Sequence, residues 1–254
     1  MKLHYNIEGE GAPLVILHGL FGSSDNWRTT AKQLAHDRQV ITVDLRNHGQ
    51  SSHSDSVSYP LMAGDIAELI TDLNLNKADV IGHSIGGKVA MTLAERHAEQ
   101  VSRLIVVDIA PKQYADQHSD IFDALLTLDL TQMTKRSEAD NALSVKVSNK
   151  AIRQFLLMNL ALENGKLKWR LNLPVLAAKY PELIKSVCES SIIKHRSLFL
   201  RGAMSNYIDN NDIAVIEQQF PNVTVSTIEQ AGHWIHAEKP DLFIATVQQF
   251  LNDD

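Results

Sequence analysis

The stretch VIGHSIGGKVA carries Ser84 in the pattern Gly82-His83-Ser84-Ile85-Gly86. G-x-S-x-G says little by itself. Here it follows an apolar strand-like run and opens a helix-like one, the context that puts a serine on a sharp strand-to-helix turn. Such a turn brings the backbone on either side of the serine close together, and glycine at 82 and 86 removes the side chains that would collide. The helix starting there aims its N-terminal N–H groups at the site and favours negative charge developing beside the hydroxyl. The plain alternative is a glycine-rich helix start with a capping serine. His83 reads as a turn residue packed beside the nucleophile. Lys88 reads as a packing or solvated lysine, with a contact to an anionic substrate group as the alternative.

A serine hydroxyl is a poor nucleophile without a neighbouring base. The chain has 11 histidines, so histidine alone says little. His233 is singled out by EQAGHWIHAEKPDLF, which places it after the last strand-like run, on a Gly-containing loop before the final helix. His236 is its rival, three residues on, and reads as part of the loop or helix start. His18 precedes the Gly19 turn and is expected to anchor backbone there. His48 and His53 face either substrate or solvent. His4, His36, His97, His118 and His195 read as surface or structural. No H-x-x-x-H pair or Cys/His cluster suggests a metal. Asp108, in VVDIAP, closes an apolar run, and a buried carboxylate there needs partners. It either caps the turn that Pro111 stiffens or completes a catalytic site.

The elements that position these residues are legible in outline. PLVILHG (13–19), QVITVD (39–44), ADVIGHS (78–84) and SRLIVVDIAP (102–111) are apolar on consecutive residues, as parallel strands covered on both faces are. Helical stretches lie between them, around Trp27–Ala35, Pro60–Leu73 and Gly86–His97. This β-α-β order predicts an α/β class with a mostly parallel, doubly wound sheet and helices on both faces. From 112 to 194 the pattern turns nearly all helical, and strand character returns at HRSLFLRG (195–202) and NVTVSTIEQAG (222–232), before a closing amphipathic stretch at 241–251. The simplest reading is a core of 1–111 and 195–254 with a helical cap, 112–194, inserted over the carboxyl ends of the strands, where α/β sheets bind ligands.

Composition excludes several classes. A net charge of −6 with no basic stripe disfavours nucleic acid as a partner. No apolar run approaches the length that crosses a bilayer, and MKLHYNIEGEG holds no apolar core of a signal peptide. The single cysteine, Cys188, excludes an internal disulfide framework, suits a reducing cytoplasm, and reads as a small side chain in a helix. The expectation is a cytoplasmic protein with a small-molecule substrate and no membrane; its oligomeric state is open.

Taken together, LHGLFGSSDNW, VDLRNHGQS, GHSIGGKVAM, VVDIAPKQY, LFLRGAMSNYI and AGHWIHAEKPD resemble the α/β-hydrolase superfamily over nearly the whole chain. Within it they look like the YbfF-type esterases. GHSIGG is shared widely, whereas RNHGQS, VDIAP, RGAMSNYI and GHWIHAEKP in one chain are much more specific. The resemblance implies cofactor-free hydrolysis of acyl esters or thioesters, including acyl-CoA, by a Ser-His-acid triad. In many α/β hydrolases the acid follows the strand after the cap in a G-x-x-D pattern, but here that stretch ends in Ser205. Asp209 and Asp212 read as loop or N-cap residues. The superfamily's other position is the end of the preceding strand, which makes Asp108 the expected acid, with Ser205 as its hydrogen-bond partner, in the order Ser84, Asp108, His233. Asp44 and Arg46 match the superfamily's structural D-x-R-G-x-G-x-S turn, with Asn47 in place of its first glycine.

The resemblance also assigns the oxyanion donors: the backbone N–H of Ile85 and that of Leu20 in the HGLFG turn, with Phe21 the neighbouring candidate. Phe21, Trp234, Phe155, Leu156 and Trp169 are candidates for an apolar pocket or for plain core, with core packing the preferred reading for Phe155 and Leu156. Two other functions stay open: a carbon–carbon bond hydrolase or cofactor-free lyase of the same fold, and a non-catalytic small-ligand receptor.

Overall fold

The computed structural model describes residues 1–253. β1 (Tyr5–Glu8), β2 (Ala12–Leu17), α1 (Arg28–Leu34), β3 (Arg38–Val43), α2 (Tyr59–Asp72), β4 (Ala78–His83), α3 (Ile85–Arg96) and β5 (Val101–Val107) come first. α4 (Ser119–Leu126), α5 (Arg136–Leu143), α6 (Lys150–Leu157), β6 (Leu160–Glu163), β7 (Lys166–Trp169) and α7 (Leu173–Leu183) follow. β8 (Arg196–Gly202), α8 (Asn210–Gln219), β9 (Val223–Ile228), α9 (Ile235–Glu238) and α10 (Pro240–Asn252) complete the chain.

The main sheet runs β1-β3-β2-β4-β5-β8-β9, and every pairing is parallel except β1 with β3. Side chains alternate between its faces with the period of a strand. Val15, Leu17, Val80, Leu104, Val106 and Phe199 pack with α2 and α3 in one core. Leu14, Ile16, Ile81, Ile105, Leu198 and Leu200 pack with α1 and α10 in the other. Burial on both faces explains why these strands read as continuous apolar runs.

The strand order reverses at β2, which has β3 on one side and β4 on the other. A crevice opens at the carboxyl ends of such a pair, where the two connections leave in opposite directions. The residues that follow are Gly19–Leu20 after β2 and Ser84 after β4. β5 and β8 pair in register from Arg103↔Arg196 to Val107↔Leu200, although the chain between them builds four helices and a hairpin.

That hairpin departs from the helical pattern expected across 112–194. MNLALENGKLKW reads as a leucine-rich helix, yet Asn164-Gly165 supplies two consecutive positive φ values, 50° and 76°. This is the requirement of a tight two-residue hairpin turn. α6 stops at Leu157, and Asn159 turns the chain by donating its side-chain amide to Leu156 O (3.1 Å) and Phe21 O (2.7 Å). Cys188 also departs from expectation: it lies beyond α7 with φ 57°, buried, and burial pushes its thiol far up. β1, the antiparallel edge strand, is too short and too exposed to have carried a signal.

Candidate active site

Ser84 is the N-cap of α3, with φ 53° and ψ −123°. A non-glycine residue there is strained and persists only if its neighbours hold it. They do so through backbone: Ser84 N–H donates to Val107 O (3.0 Å), and Ser84 O receives the N–H of Gly87 (2.8 Å). The glycines are steric necessities. A Cβ on Gly82 would overlap the Gly86 carbonyl, and one on Gly86 would lie 2.5 Å from the carbonyl oxygens of Leu17 and His18.

Asp108 is fully buried with φ 52°. Its Oδ1 accepts the Gly202 N–H (3.0 Å), and its Oδ2 accepts both the Ser205 hydroxyl and His233 Nδ1–H (2.8 Å). A carboxylate on Nδ1 fixes the imidazole as the tautomer whose Nε2 is free to accept a proton. The His233 ring is also clamped, stacked on Tyr207 at 3.8 Å between centroids and leaning on His83 at 4.6 Å. Ser84 and His233 border the same cavity, and no hydrogen bond joins them among the described residues. Catalytic hydrogen bonds are often loose without substrate. Asp209 caps α8, accepting from the N–H groups of Asn211 and Asp212, while Asp212 pairs with Lys112 at 2.7 Å. Neither carboxylate is bonded to an imidazole.

The surrounding histidines are structural. His83 Nε2–H donates to the His233 carbonyl (2.9 Å), and burial, reinforced by His233 nearby, holds it well below the usual histidine range. His18 bridges the HG turn, its Nδ1–H donating to Gly19 O (2.8 Å) while Nε2 accepts Leu45 N–H (3.0 Å). His236 stacks on Trp27 at 4.1 Å, and burial lowers it to about 3. His48 is buried, facing neither substrate nor solvent, and is likewise lowered to about 3. Asp44 accepts the N–H groups of Ser24 (2.6 Å) and Gln50 (2.7 Å), and Arg46 is clamped on Asp65, so both hold backbone.

Lys88 is not solvated. It is 1% exposed, and its amine donates to Lys112 O (2.8 Å), Lys185 O (2.5 Å) and, more distantly, Ile184 O (3.5 Å). Burial lowers it to about 7. These carbonyls use the donors of an ammonium, which leaves none for an anionic substrate.

The backbone N–H groups of Leu20 and Ile85 have no acceptor among the described residues, and both residues border the space around Ser84. The cavity over Ser84, about 230 Å³, is bordered by Phe21, Trp234, Phe155, Leu156 and Ile152 among others. Trp169 is not among them. It ends β7 opposite Leu160, on the hairpin rather than on the cavity wall. The sequence reading missed Gln117, His118, Ile121, Ile152 and Tyr207 on the cavity wall, His118 having read as surface or structural, and Asn159, which holds the Phe21 carbonyl. Tyr207 carried a signal, lying two residues after Ser205, whereas Asn159 lies in a stretch read as helix.

A family description of the α/β-hydrolase fold matches residues 12–240. Esterase YbfF of Escherichia coli is 35% identical over 95% of this chain and 94% of its own. The chain belongs to the α/β-hydrolase family, in its YbfF-type esterase branch. The sn-1-specific diacylglycerol lipase ABHD11 of Xenopus laevis is 40% identical over 95% of this chain and 80% of its own. Among solved structures, a marine microorganism esterase superposes with a TM-score of 0.95 at 38% identity, covering 98% of this chain and 99% of that one. As in other α/β hydrolases, the crevice lies at the carboxyl ends of the central strands. No group of His, Cys, Asp and Glu suited to a metal, and no helix long and apolar enough to cross a membrane, occurs among the described residues.

Proposed function

We propose that this α/β hydrolase is a serine hydrolase of small carboxylic esters and acyl thioesters, working in the cytoplasm through an acyl-enzyme on Ser84. His233 takes the Ser84 proton as the hydroxyl attacks the carbonyl carbon. The negative charge on the carbonyl oxygen is received by the N–H groups of Leu20 and Ile85. His233 then gives its proton to the departing alcohol or thiol, and water repeats the sequence on the acyl-enzyme. Asp108 stabilises the imidazolium, and Ser205 and Gly202 hold Asp108. The segment 112–194, which supplies Phe155 and Leu156 to the cavity wall, acts as a cap that gates entry.

The observation that carries this reading is the 2.8 Å contact from His233 Nδ1 to a fully buried Asp108, beside a serine held at φ 53°. Fluorophosphonate labelling followed by peptide mapping tests it. The label is expected on Ser84, and Ser84→Ala is expected to abolish ester turnover without loss of fold. A label on another serine with Ser84 unmodified refutes the assignment.

A further inference from the structure

Ser84 stands between two cavities of very different size. The larger holds about 230 Å³ and the smaller about 30 Å³. Ser84, Leu20, Gln117, His118 and Tyr207 border both; His233 and Trp234 border only the larger; Ile85, Lys88 and Leu183 border only the smaller. The nucleophile is thus a junction, and the base lies on one side of it.

The chemistry decides which part of an ester enters which cavity. When the tetrahedral intermediate collapses, the bond from the carbonyl carbon to the leaving oxygen or sulfur breaks. Its electron pair stays on that atom, which takes the proton held on His233 Nε2. The leaving group must therefore lie on the His233 side, in the larger cavity. The oxyanion points at the N–H groups of Leu20 and Ile85, and Ser84 Oγ fills a third position on carbon. The acyl substituent is left with the direction away from the imidazole, towards the cavity that His233 does not border.

That cavity is small and, among the described residues, offers no free cation to a charged group, although the polar side chains of Gln117, His118 and Tyr207 stand at its border. One water needs about 10–15 Å³ measured in this way, so the space admits only about two or three heavy atoms. The Tyr59 hydroxyl is committed to Leu183 O, and the Tyr114 hydroxyl donates to Tyr207 O (2.6 Å) and accepts Ala110 N–H (2.8 Å). The Tyr180 hydroxyl takes the Gln117 N–H (3.2 Å) and meets His118 Nδ1 (2.8 Å). The Lys88 amine is spent on backbone carbonyls of the two ends of the 112–194 segment.

Building on the esterase reading above, we propose that the small cavity is the acyl site, and that preferred substrates join a short, uncharged acyl group of about two to four carbons to a bulkier alcohol or thiol seated in the larger cavity. The specificity is asymmetric: the enzyme reads the length of the acid and tolerates variety in the alcohol.

The test holds one half of the ester constant while the other varies. Along p-nitrophenyl acetate, butanoate, hexanoate and octanoate, kcat/KM is expected to be highest at acetate or butanoate and about tenfold or more lower at octanoate. Along methyl, butyl, benzyl and naphthylmethyl acetates it is expected to hold or rise. Leu183→Ala, or Ile184→Ala should the first not fold, widens the small cavity and should move the acyl optimum up by about two carbons. Phe155→Ala, on the larger cavity alone, should change the alcohol series and leave the acyl optimum where it is. A half-ester bearing a succinyl acid should be a poor substrate. An acyl profile that is flat or rising to octanoate, with turnover falling steeply as the alcohol grows, overturns the assignment of cavities while leaving Ser84 labelling intact. Failure of Ser84 to react with a fluorophosphonate removes the serine-hydrolase reading itself, and this inference with it.

Discussion

Replacing Asp108 by asparagine tests the site with the smallest change in shape. Asp108 accepts from three donors: Gly202 N–H on Oδ1, and the Ser205 hydroxyl and His233 Nδ1–H on Oδ2. Asparagine has one acceptor oxygen and one NH₂ donor. With its oxygen facing Gly202, the NH₂ meets Nδ1 and forces the proton onto Nε2, so the imidazole can no longer act as a base. With its oxygen facing His233, the NH₂ is set against the Gly202 N–H at about the present 3.0 Å, and the imidazolium still loses its counter-charge. The equivalent change in a serine-protease triad costs about 10⁴-fold in kcat, or about 5 kcal/mol of transition-state stabilisation at 1.36 kcal/mol per tenfold. A loss of that order is expected here in kcat for an aryl ester, with a melting transition that remains cooperative. Ser205→Ala should cost about tenfold or less, since it removes one hydrogen bond worth about 1 kcal/mol and no charge. Near-normal turnover in Asp108→Asn, with collapse in Asp209→Asn or Asp212→Asn, would refute the reasoning and move the acid to the position after β8.

Gly82→Ala should abolish activity and destabilise the fold, because its methyl group would overlap backbone of Gly86 and Gly87 that has no room to yield; thermal unfolding and turnover measured together check this. Asn159→Ala leaves Phe21 O without its donor beside the Leu20 turn, and should cost about 1–3 kcal/mol of stability by denaturant titration and lower kcat as well. Acid should destabilise the protein through its buried histidines. His48 and His236 sit at about 3 when folded and near 6.5 when unfolded, so below 6.5 the unfolded chain binds more protons. Their contribution is whole above pH 6.5 and is lost as pH falls towards 3. At pH 5 each costs about 2 kcal/mol, so denaturation midpoints measured from pH 7 to pH 5 should fall, and His48→Asn should flatten the slope.

The sheet was legible because it is buried on both faces: consecutive Val and Ile in β2, β4 and β5 leave few other readings. Ser84 and His233 were legible because glycines and loop position marked them. Asp108 was singled out less directly, through the serine that stands at 205. The hairpin at Leu160–Trp169 was missed because its leucines satisfied a helical pattern, although Asn164-Gly165 was the better signal. The exchange of pocket residues has a similar cause. Phe155 and Trp169 look alike in sequence, and only the turn at Asn159 sends one to the cavity and the other to the hairpin. Lys88 is the sharpest case: nothing local distinguishes a lysine on a helix surface from one whose amine closes the ends of a distant segment.

The separation in sequence of the residues around Asp108 bears on how the protein comes into being. Its contacts with Gly202 and His233 span 94 and 125 residues of chain. Closing loops of that length costs conformational entropy before any contact is gained, and topologies rich in such contacts fold slowly. During synthesis the first 111 residues hold Ser84 and Asp108, the proposed nucleophile and acid, but not His233, the proposed base. On that assignment, a nascent chain lacks the proposed base until the ribosome has released the loop after β9. Under the proposed mechanism, hydrolysis would begin only once the loop after β9 has docked, so activity would mark the end of folding rather than its progress.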